Sequence, residues 1–244
     1  MARIRVLVVD DHRVFAESLA AALAAESDVE VAAAGSAPVA LRRLERAAAE
    51  GRPFDVLLVD ADLGGPPPPA GPPPQPDPGT SGGGTALVAA AHAARPGTRC
   101  VVLAECDDAP RATAALAAGA CGWVAKDCSL SRLLAVVRGV LRDETHLSPT
   151  LLTGVLRELT AARRHRSESE HLVASLTPRE REVLRCMVAG LGRKAVAERL
   201  FLSPHTVRTH MQNVLGKLGV HSTLAAVALA RRAGVGPADP EPAS

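Results

Sequence analysis

Three carboxylates and one ammonium stand in this 244-residue sequence where they would hold a cation and receive a phosphoryl group. Asp10 and Asp11 close the apolar run IRVLVV at 4–9, Asp60 closes FDVLLVD, and Lys126 follows GWVA at 122–125. Hard oxygen donors with open water positions suit Mg²⁺. The metal and Lys126 would offset charge on an incoming phosphoryl group while the Asp60 carboxylate attacks it. A different chemistry lies near the far end. In SPHTVRTHMQNVLGKL, Val207, Met211, Val214, Leu215 and Leu218 recur at helical spacing and face a core, which turns Arg208, Thr209 and Gln212 outward. Arg forks onto guanine, Gln pairs with adenine and a Thr methyl meets thymine, so this face suits the major groove of double-stranded DNA. Lys194, Arg199, His205, His210 and Lys217 surround it as candidate phosphate contacts, and Ser203 and Thr206 stand where the same helix meets DNA.

The elements that position the acids alternate. IRVLVV reads as a strand buried on both faces, followed by a helix through Phe15, Leu19 and Leu23, a strand near Val29–Ala33, a helix over Val39–Ala49 and the strand ending at Asp60. Helix at Ala86–Ala94, strand at Arg99–Ala104, helix at Pro110–Ala118, strand at Gly122–Ala125 and helix at Ser129–Leu141 complete five strands and five helices. This order predicts an α/β doubly wound parallel sheet, whose functional groups gather at the carboxyl ends of the strands. The DNA-facing helix belongs to a small all-α domain of four helices. Thr177-Pro178 with Glu180 supplies an N-cap, a proline at the first helical position and a capping-box acid, and Ser203-Pro204 repeats the start signal. Residues 176–235 carry ten Lys and Arg against three Asp and Glu, whereas the chain as a whole is only +2. A basic module on an acidic body fits attraction to the DNA backbone.

Both halves resemble one family. LTPREREVLRCMVAGLGRKAVAERLFLSPHTVRTHMQNVLGKLGV, continued by HSTLAAVALARRAGV, resembles the LuxR-type helix-turn-helix output domain of NarL/FixJ-family response regulators. The acid cluster, with GACGWVAKD at 119–127, resembles their flavodoxin-like receiver domain. The resemblance implies Asp60 as phosphoacceptor, Asp10 and Asp11 as Mg²⁺ acids, the Asp62 backbone carbonyl as a further ligand, Lys126 as phosphate partner and Trp123 at the aromatic position that reports activation. It also implies a sensor histidine kinase as phosphoryl donor and a homodimer on DNA. Leu224, Val227 and Leu229 with Ala225, Ala226 and Ala228 make the last helix apolar nearly all round, more than one small core requires, and Leu224, Val227 and Ala228 are the candidate dimer contact. The sequence departs from the family at four places. Ala104 replaces the usual Thr or Ser, Leu63-Gly64-Gly65 replaces a Met/Leu-Pro turn, Gly192-Arg193 replaces Ser/Thr-Asn, and Ala195 replaces Glu.

The expected organisation is a receiver over 1–142 with a Pro/Gly-rich insertion at 64–84, a helical linker over 143–175, the helix-turn-helix domain over 176–235 and a disordered tail over 236–244. Nine prolines between Pro66 and Pro78 predict a polyproline-II rod hinged by glycines, read as a tolerated loop expansion with a docking arm as the alternative. HLSPTLLTGVLREL restarts a helix, and AARRHRSESEHLVAS reads as a mobile polar connector. No apolar run is long enough to span a bilayer, and MARIRVLVVDD is a charged strand rather than a signal peptide, so a cytoplasmic protein is expected. Five cysteines without a CxxC pair argue against a disulfide framework or zinc site, leaving redox pairing of Cys100 with Cys121 and Cys106 with Cys128 as a minor alternative. The function expected is a non-enzymatic transcriptional regulator switched at Asp60. A receiver regulated without phosphorylation is the first alternative. A Mg-dependent phosphohydrolase is the distant one, because Asp60-Ala61-Asp62 is similar to the DxD of haloacid-dehalogenase-type phosphatases.

Overall fold

The computed structural model describes residues 3–64 and 83–238. The polyproline rod expected within 66–78 lies outside the described residues, as does most of the tail expected to be disordered, residues 239–244. The chain divides into two compact units, residues 1–158 and 159–244.

In the first unit β1 (Ile4–Val9), β2 (Val29–Ala34), β3 (Val56–Asp60), β4 (Arg99–Ala104) and β5 (Ala120–Ala125) form one parallel sheet in the order β2-β1-β3-β4-β5. The connecting helices are α1 (Arg13–Ala24), α2 (Ala37–Ala49), α3 (Gly83–Ala94), α4 (Ala109–Ala117) and α5 (Leu130–Val140). This is the doubly wound sheet expected from the alternation. Side chains alternate along each strand, so Leu7, Val9, Leu57, Val59 and Val102 join one core with Leu44, Leu87, Val88 and Ala112. Val6, Val8, Val56, Leu58, Val101 and Leu103 join the opposite core with Leu23, Val136 and Val137. Each fully buried Leu or Val contributes about 1.5–3 kcal/mol, which is why strands with no polar face form the centre.

Register aligns the chemistry. Val9 lies opposite Val59, so Asp10 and Asp60 emerge side by side where the strand order reverses. Asp60 pairs with Leu103, and Ala104 with Ala125, which brings Lys126 to the same edge one residue beyond β5.

Two expectations need correction. The insertion was expected to run to residue 84, yet α3 begins at Gly83. A Cβ on Gly84 would stand 2.1 Å from the Asp60 carbonyl oxygen, so the bare glycine lets α3 start directly against the end of β3. The linker expected to be helical over 143–175 is helix from Pro149 to Ala174 (α6), and the segment read as a mobile polar connector, 161–175, belongs to that continuous helix through Ala174. Its polar segment carries an Arg166–Glu170 ion pair at 3.0 Å and a His165–Glu168 contact at 3.5 Å, spacings that support a helix rather than a loop. The first unit also extends beyond residue 142, since Leu151 and Val155 of α6 are buried in its core.

The second unit contains the rest of α6 with α7 (Pro178–Val188), α8 (Arg193–Arg199), α9 (Pro204–Lys217) and α10 (Thr223–Arg232). Val183, Leu184, Met187, Val196, Val207, Val214, Leu218 and Leu229 form its core. The Thr177–Glu180 capping box forms in both directions, and Ser203 and Ser222 each cap the next helix. Gly192 supplies no side-chain cap to α8, as the replacement of Ser/Thr-Asn there implies. Phe201 turns the chain between α8 and α9 with φ 52°, a left-handed conformation.

Candidate functional site

The acid pocket is built from strand ends, which fixes its buried members. Asp10 is fully buried; its Oδ1 accepts the His12 backbone N–H at 2.8 Å and its Oδ2 accepts Lys126 Nζ at 2.7 Å. Asp60 is buried too, with Oδ1 3.0 Å from Lys126 Nζ and 3.2 Å from the Asp62 N–H. Asp60 Oδ2 is buried without a hydrogen-bond partner among the described residues. Asp11, more exposed, accepts the Gly64 N–H at 2.9 Å, which ties β1 to the turn after β3. Gly64 takes φ +71° to make that turn.

Burial pushes the Asp60 carboxyl up from its ordinary value, and its hydrogen bonds from Lys126 and Asp62 only partly offset this. Burial acts to lower Lys126, but its hydrogen bonds to Asp10 and Asp60 outweigh that and raise it, so the ammonium stays charged. Asp10, Asp11, His12 and Asp60 each offer a ligand atom within 4.8 Å of the others. His12, whose Nδ1 is 3.3 Å from both Asp10 Oδ1 and Asp11 Oδ1, was not among the expected ligands. Its only sequence signal was adjacency to the acid pair.

The other expected residues of this unit converge on the same edge. Ala104 ends β4 with a buried methyl and accepts the Lys126 N–H through its carbonyl at 2.7 Å. The Asp62 side chain leaves the pocket to pair with Arg111 of α4 at 2.6 Å. Arg111 was also not anticipated, because nothing in its sequence neighbourhood marks the approach of α4 to β3. The Trp123 indole is buried, donates to the Cys106 carbonyl at 3.3 Å and lies with its ring centroid 5.8 Å from the Arg111 guanidinium carbon. All five thiols are free, and burial pushes Cys100 up to about 12, which disfavours its thiolate.

In the second unit α9 turns Val207 and Val214 fully inward, with Met211 and Leu215 half-buried, and exposes Arg208, Thr209 and Gln212 together. Thr209 donates its hydroxyl to the His205 carbonyl at 3.2 Å. Ser203 accepts the Thr206 N–H at 3.1 Å, and their hydroxyls meet at 2.8 Å, so both are committed to starting the helix. Lys194 and His205 are exposed beside this face, whereas His210 is half-buried with Nδ1 unpartnered among the described residues. Lys217 is different. Its ammonium lies 2.7 Å from the buried Glu180 carboxylate, binding α9 to the capping box of α7. On α10, Leu224 is 80% exposed, Ala228 exposed and Val227 half-buried.

Residues 174–230 match the family model described as bacterial regulatory proteins, luxR family. The chain is 30% identical over 230 residues to the probable transcriptional regulatory protein NarL of Mycobacterium tuberculosis, covering 94% of each sequence. It is 28% identical over 221 residues to the oxygen regulatory protein NreC of Staphylococcus aureus, covering 89% of this chain and 92% of that one. Among solved structures, the RcsB response regulator of Salmonella typhimurium aligns over 93% of this chain and 98% of its own, at 19% identity and a TM-score of 0.50, a likeness of fold. No helix among the described residues is long and apolar enough to cross a membrane.

Proposed function

The chain belongs to the NarL/FixJ family of LuxR-type transcriptional response regulators, and from that premise we propose that phosphorylation of Asp60 governs its binding to double-stranded DNA. The observation that carries the proposal is the buried, unpartnered Asp60 Oδ2. A buried carboxylate oxygen without a donor is costly unless a cation or an incoming group completes it. The surrounding oxygens of Asp10, Asp11 and Asp60 fit Mg²⁺, with the Asp62 backbone carbonyl as a further donor. When bound, the ion neutralises charge on the transferring phosphoryl group.

The chain's own groups do the rest. Lys126 holds Asp60 Oδ1 and favours the ionised carboxylate, leaving Oδ2 as nucleophile. Oδ2 attacks phosphorus on the phosphohistidine of a sensor kinase; the O–P bond forms as the N–P bond breaks, and the electron pair stays on the imidazole. Asp62 pairs with Arg111, and the matched family and relatives are transcriptional regulators, which supports a regulator over a phosphohydrolase. Arg208, Thr209 and Gln212 read bases, with Lys194, His205 and His210 toward phosphates and Ser203 and Thr206 setting the helix start. Two copies pair on DNA through α10 at Leu224, Val227 and Ala228, in the cytoplasm. The functional division is a receiver with its first α6 turns, the remainder of α6 as linker, and the DNA-binding helices.

One observation favours a second reading, in which DNA binding is regulated without Asp60. The methyl of Ala104 gives a phosphoryl group no hydrogen bond at the end of β4. DNA affinity measured with Mg²⁺, with and without beryllofluoride, on wild type and Asp60→Asn separates the two. Tighter binding in wild type alone is expected; equal binding throughout would move control away from Asp60.

A further inference from the structure

We propose that Arg111 transmits the state of Asp60 to α4 and Trp123, exchanging its present partner, the Asp62 carboxylate, for the phosphoryl group on Asp60. The proposal rests on the reading of Asp60 as phosphoacceptor and assigns the positioning residue that makes that event felt elsewhere in the first unit.

The present pairing is one that a stronger anion displaces. Arg111 reaches Asp62 Oδ1 through one terminal nitrogen at 2.6 Å, with the two side chains 34% and 57% exposed. An ion pair this open to water is weak, and the guanidinium presents five N–H donors, most of them unused toward Asp62. Asp62 itself hangs from the acceptor, because its N–H donates to Asp60 Oδ1 at 3.2 Å. A phosphoryl group replaces one negative charge at Asp60 with roughly two and adds acceptor oxygens suited to a planar fork. Lys126 is already shared between Asp10 and Asp60, and Ala104 carries no side-chain donor, which leaves room for a second cation.

Arg111 also ties together elements that would register its movement. Its backbone N–H donates to the N-cap Asp108 at 3.0 Å, so the residue sits in the first turn of α4. Its guanidinium carbon lies 5.8 Å from the Trp123 ring centroid, at the far strand of the sheet. The Trp123 N–H holds the Cys106 carbonyl in the loop leading into α4. Asp62, Arg111 and Trp123 thus link the turn after β3, the start of α4 and β5. Withdrawal of the guanidinium toward Asp60 changes the environment of the ring.

Trp123 is the sole tryptophan in the chain, so its emission reads this contact directly in the full-length protein. The experiment titrates beryllofluoride with Mg²⁺ into wild type, Arg111→Gln, Arg111→Lys and Asp62→Asn, following ¹⁹F resonance for occupancy and tryptophan fluorescence for coupling. Wild type is expected to bind and to change its emission. Arg111→Gln is expected to bind about tenfold more weakly, the loss of about one charge-assisted hydrogen bond open to solvent, and to show no emission change at saturation. Arg111→Lys restores part of the change, and Asp62→Asn shifts resting emission toward that of saturated wild type. An emission change in Arg111→Gln equal to wild type overturns the proposal, as does binding by wild type with no change. Absence of a bound ¹⁹F signal in wild type overturns the phosphoacceptor reading itself and this one with it.

Discussion

In the proposed phosphorylation, Asp60 Oδ2 and the Ala104 methyl are the two groups on which the chemistry turns. Oδ2 is a buried acceptor with nothing among the described residues donating to it, while Oδ1 of the same carboxylate receives two donors. Such asymmetry directs an electrophile to one oxygen. Ala104, one strand away at the same edge, fills its place with a methyl, and the residue is 2% exposed. Replacing it by Ser adds a hydroxyl without lengthening the side chain beyond one heavy atom, so overpacking should cost little. Ala104→Ser is expected to bind beryllofluoride about tenfold more tightly, the effect of one hydrogen bond to a charged group. Titration followed by ¹⁹F resonance checks it; unchanged affinity would mean that the hydroxyl does not reach the phosphoryl oxygens.

At the scale of elements, α7 and α9 are held by a charge pair that sequence position alone does not suggest. Lys217 reads in sequence as a rim cation for DNA phosphates, yet its ammonium meets the buried Glu180 carboxylate that completes the α7 capping box. The Lys217 hydrogen bond, with the Thr177 backbone N–H, holds the Glu180 carboxyl below its ordinary value. A folded pKa below the unfolded one means stability present above the unfolded value and lost as pH falls through the folded one. The urea midpoint of the second unit should therefore drop as pH falls below the ordinary glutamate range. Glu180→Gln should flatten that dependence, and Lys217→Ala should lower the midpoint even at neutral pH. A Lys217→Ala protein with unchanged stability but weaker DNA binding would return the residue to the phosphate rim. The capping box was legible because Thr177, Pro178 and Glu180 are neighbours in sequence, and the receiver strands were legible because a continuous apolar run has few other uses. The Lys217–Glu180 and Arg111–Asp62 pairs were not, since each joins residues far apart in the chain whose meeting depends on helix packing. The same applies to α3, whose start at Gly83 requires knowing that the Asp60 carbonyl lies where a Cβ on Gly84 would stand. Strand-end carboxylates could be placed in sequence because the parallel sheet fixes their edge, whereas His12 required the pocket's geometry.

For the whole molecule, two units with separate cores concentrate opposite demands in one chain. The DNA-binding segment 176–235 carries ten basic against three acidic residues, while the chain is only +2, so the excess positive charge is local. In the proposed dimer, affinity for DNA is set by that segment and by two copies of it acting together. A single short recognition helix reads few bases, and two copies held at fixed spacing multiply its reach. On α10 the core takes Ala226, Leu229 and Ala230, leaving Leu224 exposed and Ala228 one turn beyond it on the same face. An exposed leucine beside small residues lets a second copy approach closely without disturbing the fold. Leu224→Asp should keep its thermal stability, because the side chain contributes nothing to the core, but should lose the dimer on DNA. Binding to a duplex with two half-sites is expected to fall about 100-fold, the effective-concentration advantage of joined sites, while binding to a single half-site is unchanged. Gel-shift titrations on both duplexes, with sedimentation of the complexes, measure the two effects. Equal affinity of variant and wild type for the double site would place the contact between copies on another surface, and an equal loss on both duplexes would instead make Leu224 part of the DNA-reading unit itself.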